Sequence, residues 1–220
     1  MRNLASEFEK AGNSADAVYM KRYMKNQFEF FGLKSDARKE ATKKFIIKNG
    51  LPPIDRWKEY VAESWLAEQR ELQMFGQELC MKYKKHWLEE DLVFFEQLII
   101  SKSWWDSVDY IASNLIGHYF WIFPEKIKTT IEKWKISDNM WLRRTALIFQ
   151  LKYRDHTDFN LLQDVIHHNK YSTEFFIQKA IGWSLRQYAK FAPNEVQAFV
   201  TETELKPLSR REALKHFNQH

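Results

Sequence analysis

Cysteine is nearly absent: Cys80 is the single one in 220 residues, so an internal disulfide is excluded and a reduced compartment is the expected setting. Glycine and proline number six and five, too few turn residues for a many-stranded protein. No apolar run approaches the length of a membrane span. The opening stretch MRNLASEFEKAGNSADAV is polar and charged where a secretion signal needs an apolar core. His and Cys never cluster at zinc-ligand spacing, and the adjacent His167 and His168 would leave a helix on different faces. These absences argue against a disulfide scaffold, a zinc module and a membrane protein. They point to a single cytoplasmic domain over residues 1–220, long enough to bury its own core, with no metal and no cofactor.

What is present is helical periodicity. In EFFIQKAIGWSLRQYAKF, Phe176, Ile177, Ala180, Ile181, Leu185 and Tyr188 recur at three- and four-residue spacing on one face, while Lys179, Trp183, Arg186 and Gln187 share another. In NMWLRRTALIFQLKY the apolar stripe includes Leu147, Ile148 and Leu151, and Arg143 and Arg144 leave the axis at different angles. Ser103 with Asp106 and Ser209 with Glu212 have the spacing of capping boxes that open helices. Pro124, Pro193 and Pro207 sit where helices should begin. The expected architecture is all-α, roughly ten to twelve helices without a strand.

Charge is unevenly placed. The net is +5, but between Lys21 and Lys48 nine basic residues stand against three acids, a local +6 that leaves the remainder at −1. Such a stretch suits a surface that follows phosphates; a solvated lysine-rich helix is the plainer alternative. A smaller basic cluster, Arg210, Arg211 and Lys215, recurs near the C-terminus.

The stretch SKSWWDSVD, Ser101 to Asp109, places two tryptophans beside two aspartates. Adjacent helical side chains point about 100° apart, so Trp104 and Trp105 cannot both serve one buried stripe. With a helix opening at Ser103, Trp104 packs inward and Asp106 serves the cap. Trp105 and Asp109, one turn apart, then share an outward face. Asp109 has no local partner, short of a basic side chain from a neighbouring helix. Trp105 to Arg144 is 39 residues and Arg144 to Trp183 is 39 again, close to the roughly 40-residue period of HEAT-type helix pairs, whose equivalent positions line one surface. A carboxylate, aromatic faces and an arginine brought together can bind a cationic centre beside a phosphate. Core packing and ordinary salt bridges are the commoner use of such residues.

The segments RYMKNQFEFFGLK, SKSWWDSVDYIA, DNMWLRRTALIFQLKY, EFFIQKAIGWSLRQYAK and ELKPLSRREALKH run in order from near Tyr19 to near His216. Together they resemble the AlkD family of DNA alkylation-repair glycosylases. The resemblance implies a HEAT-like repeat α-solenoid, with helical pairs stacked into a superhelix around a concave DNA-binding groove. It implies that Trp105 and Asp109 line the catalytic site and that Trp183 completes an aromatic pair around the damaged nucleotide. Arg144 and Tyr23 correspond to residues that meet DNA, and Lys179, on the face of Trp183, joins them as an expected contact.

The implied activity is excision of positively charged N3- and N7-alkylated purines, such as 3-methyladenine and 7-methylguanine, from duplex DNA. The N-glycosidic bond is hydrolysed without a base-flipping pocket and without strand-nicking lyase chemistry. A monomer acting on double-stranded DNA in the bacterial cytoplasm, at the nucleoid through its DNA, is the expected form. Two other readings fit the sequence: a catalytically silent HEAT-like protein that binds distorted DNA, and a protein-interaction scaffold, the default for a solenoid judged on fold alone.

Overall fold

The computed structural model describes residues 2–215 and 217. His216, which ends the last of the resembling segments, lies outside the described residues. Among them there is no strand, and an isolated bridge between Glu29 and Gln69 is the one β-type pairing. Where the sequence reads as one domain, the packing forms two compact units, Met1–Trp87 and Leu88–His220.

The first unit holds α1 (Arg2–Ala11), α2 (Ser14–Tyr23), α3 (Ser35–Asn49), α4 (Trp57–Leu66) and α5 (Arg70–Lys82). Its core is built from Leu4, Phe8, Leu33, Val61, Trp65, Phe75 and Leu79, all buried. The chain between α2 and α3 is held by one acid. Glu71, fully buried, accepts from the backbone N–H groups of Phe31, Gly32 and Leu33 at 3.1, 2.9 and 3.1 Å. Three amide donors offset the cost of burying its charge. The basic stretch is partly consumed within the same unit. Arg38 forks onto Glu78 at 2.9 and 2.7 Å, and Lys21, Lys34 and Lys44 pair with Glu29, Asp16 and Glu40. Arg22, Lys25, Lys39, Lys43 and Lys48 are exposed and make no ion pair among the described residues.

The second unit holds α6 (Asp91–Ile100), α7 (Trp105–Tyr110), a π-helical turn Ile111–Ile116, α8 (Gly117–Ile122), α9 (Lys126–Lys135), α10 (Met140–Ile148), α11 (Phe159–Asn169), α12 (Phe175–Tyr188), α13 (Pro193–Glu202) and α14 (Pro207–Leu214). Residues 105–122 run without a break through α7, the π turn and α8. Counted as one rod, they make thirteen helices among the described residues, beside short 3-10 turns. Helix α10 packs on α7, on the π turn and on α12, and Val108, Ile111, Leu115, Ile148, Ile177, Ile181 and Leu185 fill the space between them, fully buried. The apolar face expected of α12 is therefore the buried one.

Pro193 and Pro207 occupy the first positions of α13 and α14, as expected. Pro124 lies in the turn before α9. The two capping boxes are corrected. Helix α7 starts from Trp104, with no side-chain cap bond there, and Ser103 Oγ donates instead to the Ile99 carbonyl at the end of α6, at 2.6 Å. Helix α14 starts two residues before Ser209, whose hydroxyl donates to the Gln178 carbonyl of α12 at 3.1 Å. In both cases an acceptor in an adjoining helix takes the hydroxyl that a local cap would use. The α12–α14 seam is close because Gly182 faces it: a Cβ there would stand 2.3 Å from Glu212 Cβ and 2.7 Å from the Ser209 carbonyl oxygen.

Candidate active site

Helix α7 presents Trp105 and Asp109 one turn apart, both partly exposed. The partner that Asp109 lacks locally comes from α10. Arg144 Nε donates to Asp109 Oδ1 at 2.7 Å and Arg144 Nη2 to Oδ2 at 2.8 Å, two parallel bonds of the fork type. The side chains are 17% and 5% exposed, so the carboxylate reaches solvent and the guanidinium does not. Arg144 Nη1 donates in turn to the Phe176 backbone carbonyl in the first turn of α12. One side chain thus ties three helices together and fixes both oxygens of one acid.

Burial pushes the Asp109 carboxyl above its ordinary value, and Asp106 adds to the rise, against the lowering by the Arg144 hydrogen bonds and charge. A carboxylate kept in a poorly solvated place is a better proton acceptor and a stronger source of field than one in water.

Behind this pair lies an aromatic shelf. Trp104 packs edge-on to Phe176 with centroids 5.3 Å apart and lies 6.0 Å from Trp141, while Trp141 and Phe176 lie 5.1 Å apart. The Arg144 guanidinium sits 5.8 Å from the centre of the Phe176 ring. Trp104 therefore packs between helices as expected, but from extended backbone just ahead of α7 and not from a helical phase. Its indole N–H is buried without an acceptor among the described residues.

The other expected site residues divide. Trp183 projects from α12, partly exposed, with no ring stacked on it among the described residues. Lys179, one turn earlier, is engaged: its ammonium lies 3.0 Å from Glu212, which also takes Arg186 at 3.0 Å and Lys215 at 2.7 Å. Tyr23 belongs to the first unit, exposed at the end of α2 and stacked on Tyr19 with centroids 6.4 Å apart. Arg144, expected at a DNA phosphate, has its fork on Asp109 and its remaining Nη1 on the Phe176 carbonyl. No group of three or more His, Cys, Asp or Glu among the described residues could hold a metal ion, and no helix among them is long and apolar enough to cross a membrane.

A family model described as DNA alkylation repair enzyme matches residues 4–217. The chain belongs to that family. A solved structure described as a predicted DNA alkylation repair enzyme from Enterococcus faecalis is 32% identical, with 95% of this chain and 98% of that one covered at a TM-score of 0.87. Two structures from Streptococcus mutans share the fold at lower identity. AlkD2 is 18% identical with a TM-score of 0.65, covering 89% of this chain and 98% of that one. The protein smu.31 is 17% identical with a TM-score of 0.63, covering 91% and 98%. No curated protein matches the chain.

For this DNA alkylation repair enzyme the helical-repeat fold expected from its segments is thereby established. Around the site, the sequence offered Phe176 only as part of an apolar face and gave no sign of Trp141 or the π turn. Phe176 enters through a backbone carbonyl, an atom that every residue carries and that no side-chain pattern announces.

Proposed function

We propose that this DNA alkylation repair enzyme is a monofunctional glycosylase that removes positively charged N3- and N7-alkylated purines from double-stranded DNA. The observation that carries this reading is the Asp109 carboxylate: mostly buried, open on one side, and fixed at both oxygens by Arg144 one turn beyond Trp105.

Alkylation at N3 or N7 leaves the purine cationic. When the C1′–N bond breaks, both bonding electrons go to the base, which departs neutral and needs no strong general acid. The cost falls on the sugar, whose C1′ gains oxocarbenium character as in glycoside hydrolysis. A carboxylate preorganised beside C1′ stabilises that charge, orients the incoming water, and accepts its proton as the C1′–O bond forms. Asp109 has this role. Trp105 and Trp183 flank the deoxyribose and the lesion nucleotide and keep bulk water from the reacting centre. Arg144 is a positioning residue that holds the acid in place.

Recognition rests on the lesion's own charge, so the base needs no pocket to enter, and with water as the nucleophile there is no amine-linked intermediate and no strand nicking. Tyr23, Lys179 and the exposed cations of the Lys21–Lys48 stretch serve the phosphate backbone. The deciding experiment measures free 7-methylguanine released from methylated duplex DNA. Release well above spontaneous depurination is expected, and release at the spontaneous rate would refute the glycosylase reading and leave a silent DNA-binding protein.

A further inference from the structure

The rod that bears Asp109 is not uniform. Directly after Tyr110 it widens into the π turn Ile111–Ile116, where Gly117 N–H reaches back five residues to the Ala112 carbonyl. Such turns are rare and gather at functional sites, because an extra residue in the ladder rotates what precedes it and loosens its backbone bonds. Here side chains take up the carbonyls at the junction. Ser113 Oγ donates to the Asp109 carbonyl at 2.7 Å, and Asn114 Nδ2 donates to the Tyr110 carbonyl at 2.9 Å.

The other end of the Asn114 amide is also used. Its Oδ1 accepts from Lys152 Nζ, and Lys152 closes the 3-10 turn Phe149–Lys152 that continues α10, the helix of Arg144. One residue on, Tyr153 Oη donates to the Gly117 carbonyl at 2.7 Å. A Cβ on Gly117 would stand 2.7 Å from the Phe149 carbonyl oxygen, so the two rods touch backbone to backbone at this point. The helices of Asp109 and Arg144 are thus tied twice: at the acid itself, and again through Asn114 and Gly117.

We propose that Asn114 is a positioning residue for the reaction. It locks the π turn to the end of α10 and so fixes the rotation of α7, on which the direction of the Asp109 carboxylate depends. This rests on the glycosylase reading of Asp109. An aliphatic side chain would fill the same space but would neither donate to the Tyr110 carbonyl nor accept from Lys152; the amide does both. Because the two ties act on one rigid helix, slack at the π turn is felt one turn earlier, where a misplacement of about 1 Å costs as much as a hundredfold in rate.

The test compares the full-length protein with Asn114→Ala, Lys152→Met, Asn114→Asp and the double variant. Single-turnover base release, DNA affinity, the pH profile of release and thermal melting are measured on each. Asn114→Ala should slow release roughly tenfold, keep DNA affinity within about twofold, and shift the acid limb of the pH profile. Lys152→Met should move the same quantities less, and the double variant should be no slower than Asn114→Ala. Asn114→Asp keeps the acceptor for Lys152 and should recover part of the rate; it stands in should Asn114→Ala fail to fold, and then a wild-type rate with an unmoved profile in Lys152→Met overturns the proposal. A wild-type rate in Asn114→Ala, or a loss that follows affinity alone, overturns it too. Should the wild-type protein release no base, the glycosylase reading falls by itself. The positioning claim is then read from the carbon-13 NMR titration of the Asp109 carboxyl: a displaced titration in Asn114→Ala supports it, and an unmoved one overturns it.

Discussion

Arg144 meets Asp109 across 35 residues of chain in two hydrogen bonds of 2.7 and 2.8 Å, and the acid of that pair keeps the solvent-facing side. Asp109→Asn preserves the shape of the acid and removes its charge, so release should fall by about a hundredfold or more while DNA affinity stays within about twofold. Equal loss of both, in paired single-turnover and binding measurements, would mean that the acid serves binding. Arg144→Ala strands a buried carboxylate and should cost about 3 kcal/mol in denaturant melts. Arg144→Lys retains the charge without the fork, and release should fall in it even where folding is kept.

On the proposed function, exposed cations of the first unit should set the salt dependence of DNA binding. Lys39, Lys43 and Lys48 carry no ion pair among the described residues. Replacing all three with alanine should flatten the slope of log affinity against log salt by up to about 3. Asp109→Asn, which removes no cation, should leave that slope close to where it is.

Glu212 makes the fold acid-sensitive. Burial alone would raise its carboxyl, but hydrogen bonds from Lys215 and Lys179 and their charges prevail and hold it at about 2, below the ordinary 4.5. A group whose folded value lies below its unfolded value stabilises at high pH: the contribution is complete above about pH 4.5 and is lost as pH falls through about 2. Glu212→Gln should lower stability at neutral pH by about 2 kcal/mol, roughly 6 °C in a chain of this size. It should also flatten the acid limb of a melting-temperature profile taken between those two values.

Gly182→Ala tests the close seam of α12 and α14. Alanine is the better helix former by about 1 kcal/mol, yet its methyl would stand 2.3 Å from Glu212 Cβ. The seam should open and the variant should lose about 2 kcal/mol, read as a lowered denaturation midpoint. A gain would show that α14 can move aside freely.

The buried face of α12 was legible because periodicity is burial written along the chain: Ile177, Ala180, Ile181 and Leu185 repeat at the helical spacing and are all fully buried. A charge without a local partner was equally legible at Asp109. The 39-residue step pointed to Arg144 as a residue of the same surface, but spacing fixes a face and not the reach of a side chain, so the direct bond could not be read from it. Ser103 and Ser209 misled because a hydroxyl answers to any nearby acceptor, and the winning acceptors, Ile99 and Gln178, belong to other helices. The π turn left no trace, since Ile111–Ile116 reads IASNLI and suits an ordinary helix. The boundary at Trp87 and Leu88 has no glycine- or proline-rich linker to betray it.

Trp105, Asp109, Arg144 and Trp183 all lie in the unit Leu88–His220, and the whole Lys21–Lys48 stretch lies in Met1–Trp87. On the proposed function, the reaction chemistry sits on one packed core and most of the exposed cations that would grip the duplex sit on the other. Substitutions among those cations should then tune the hold on DNA with the carboxylate and its arginine left as they are.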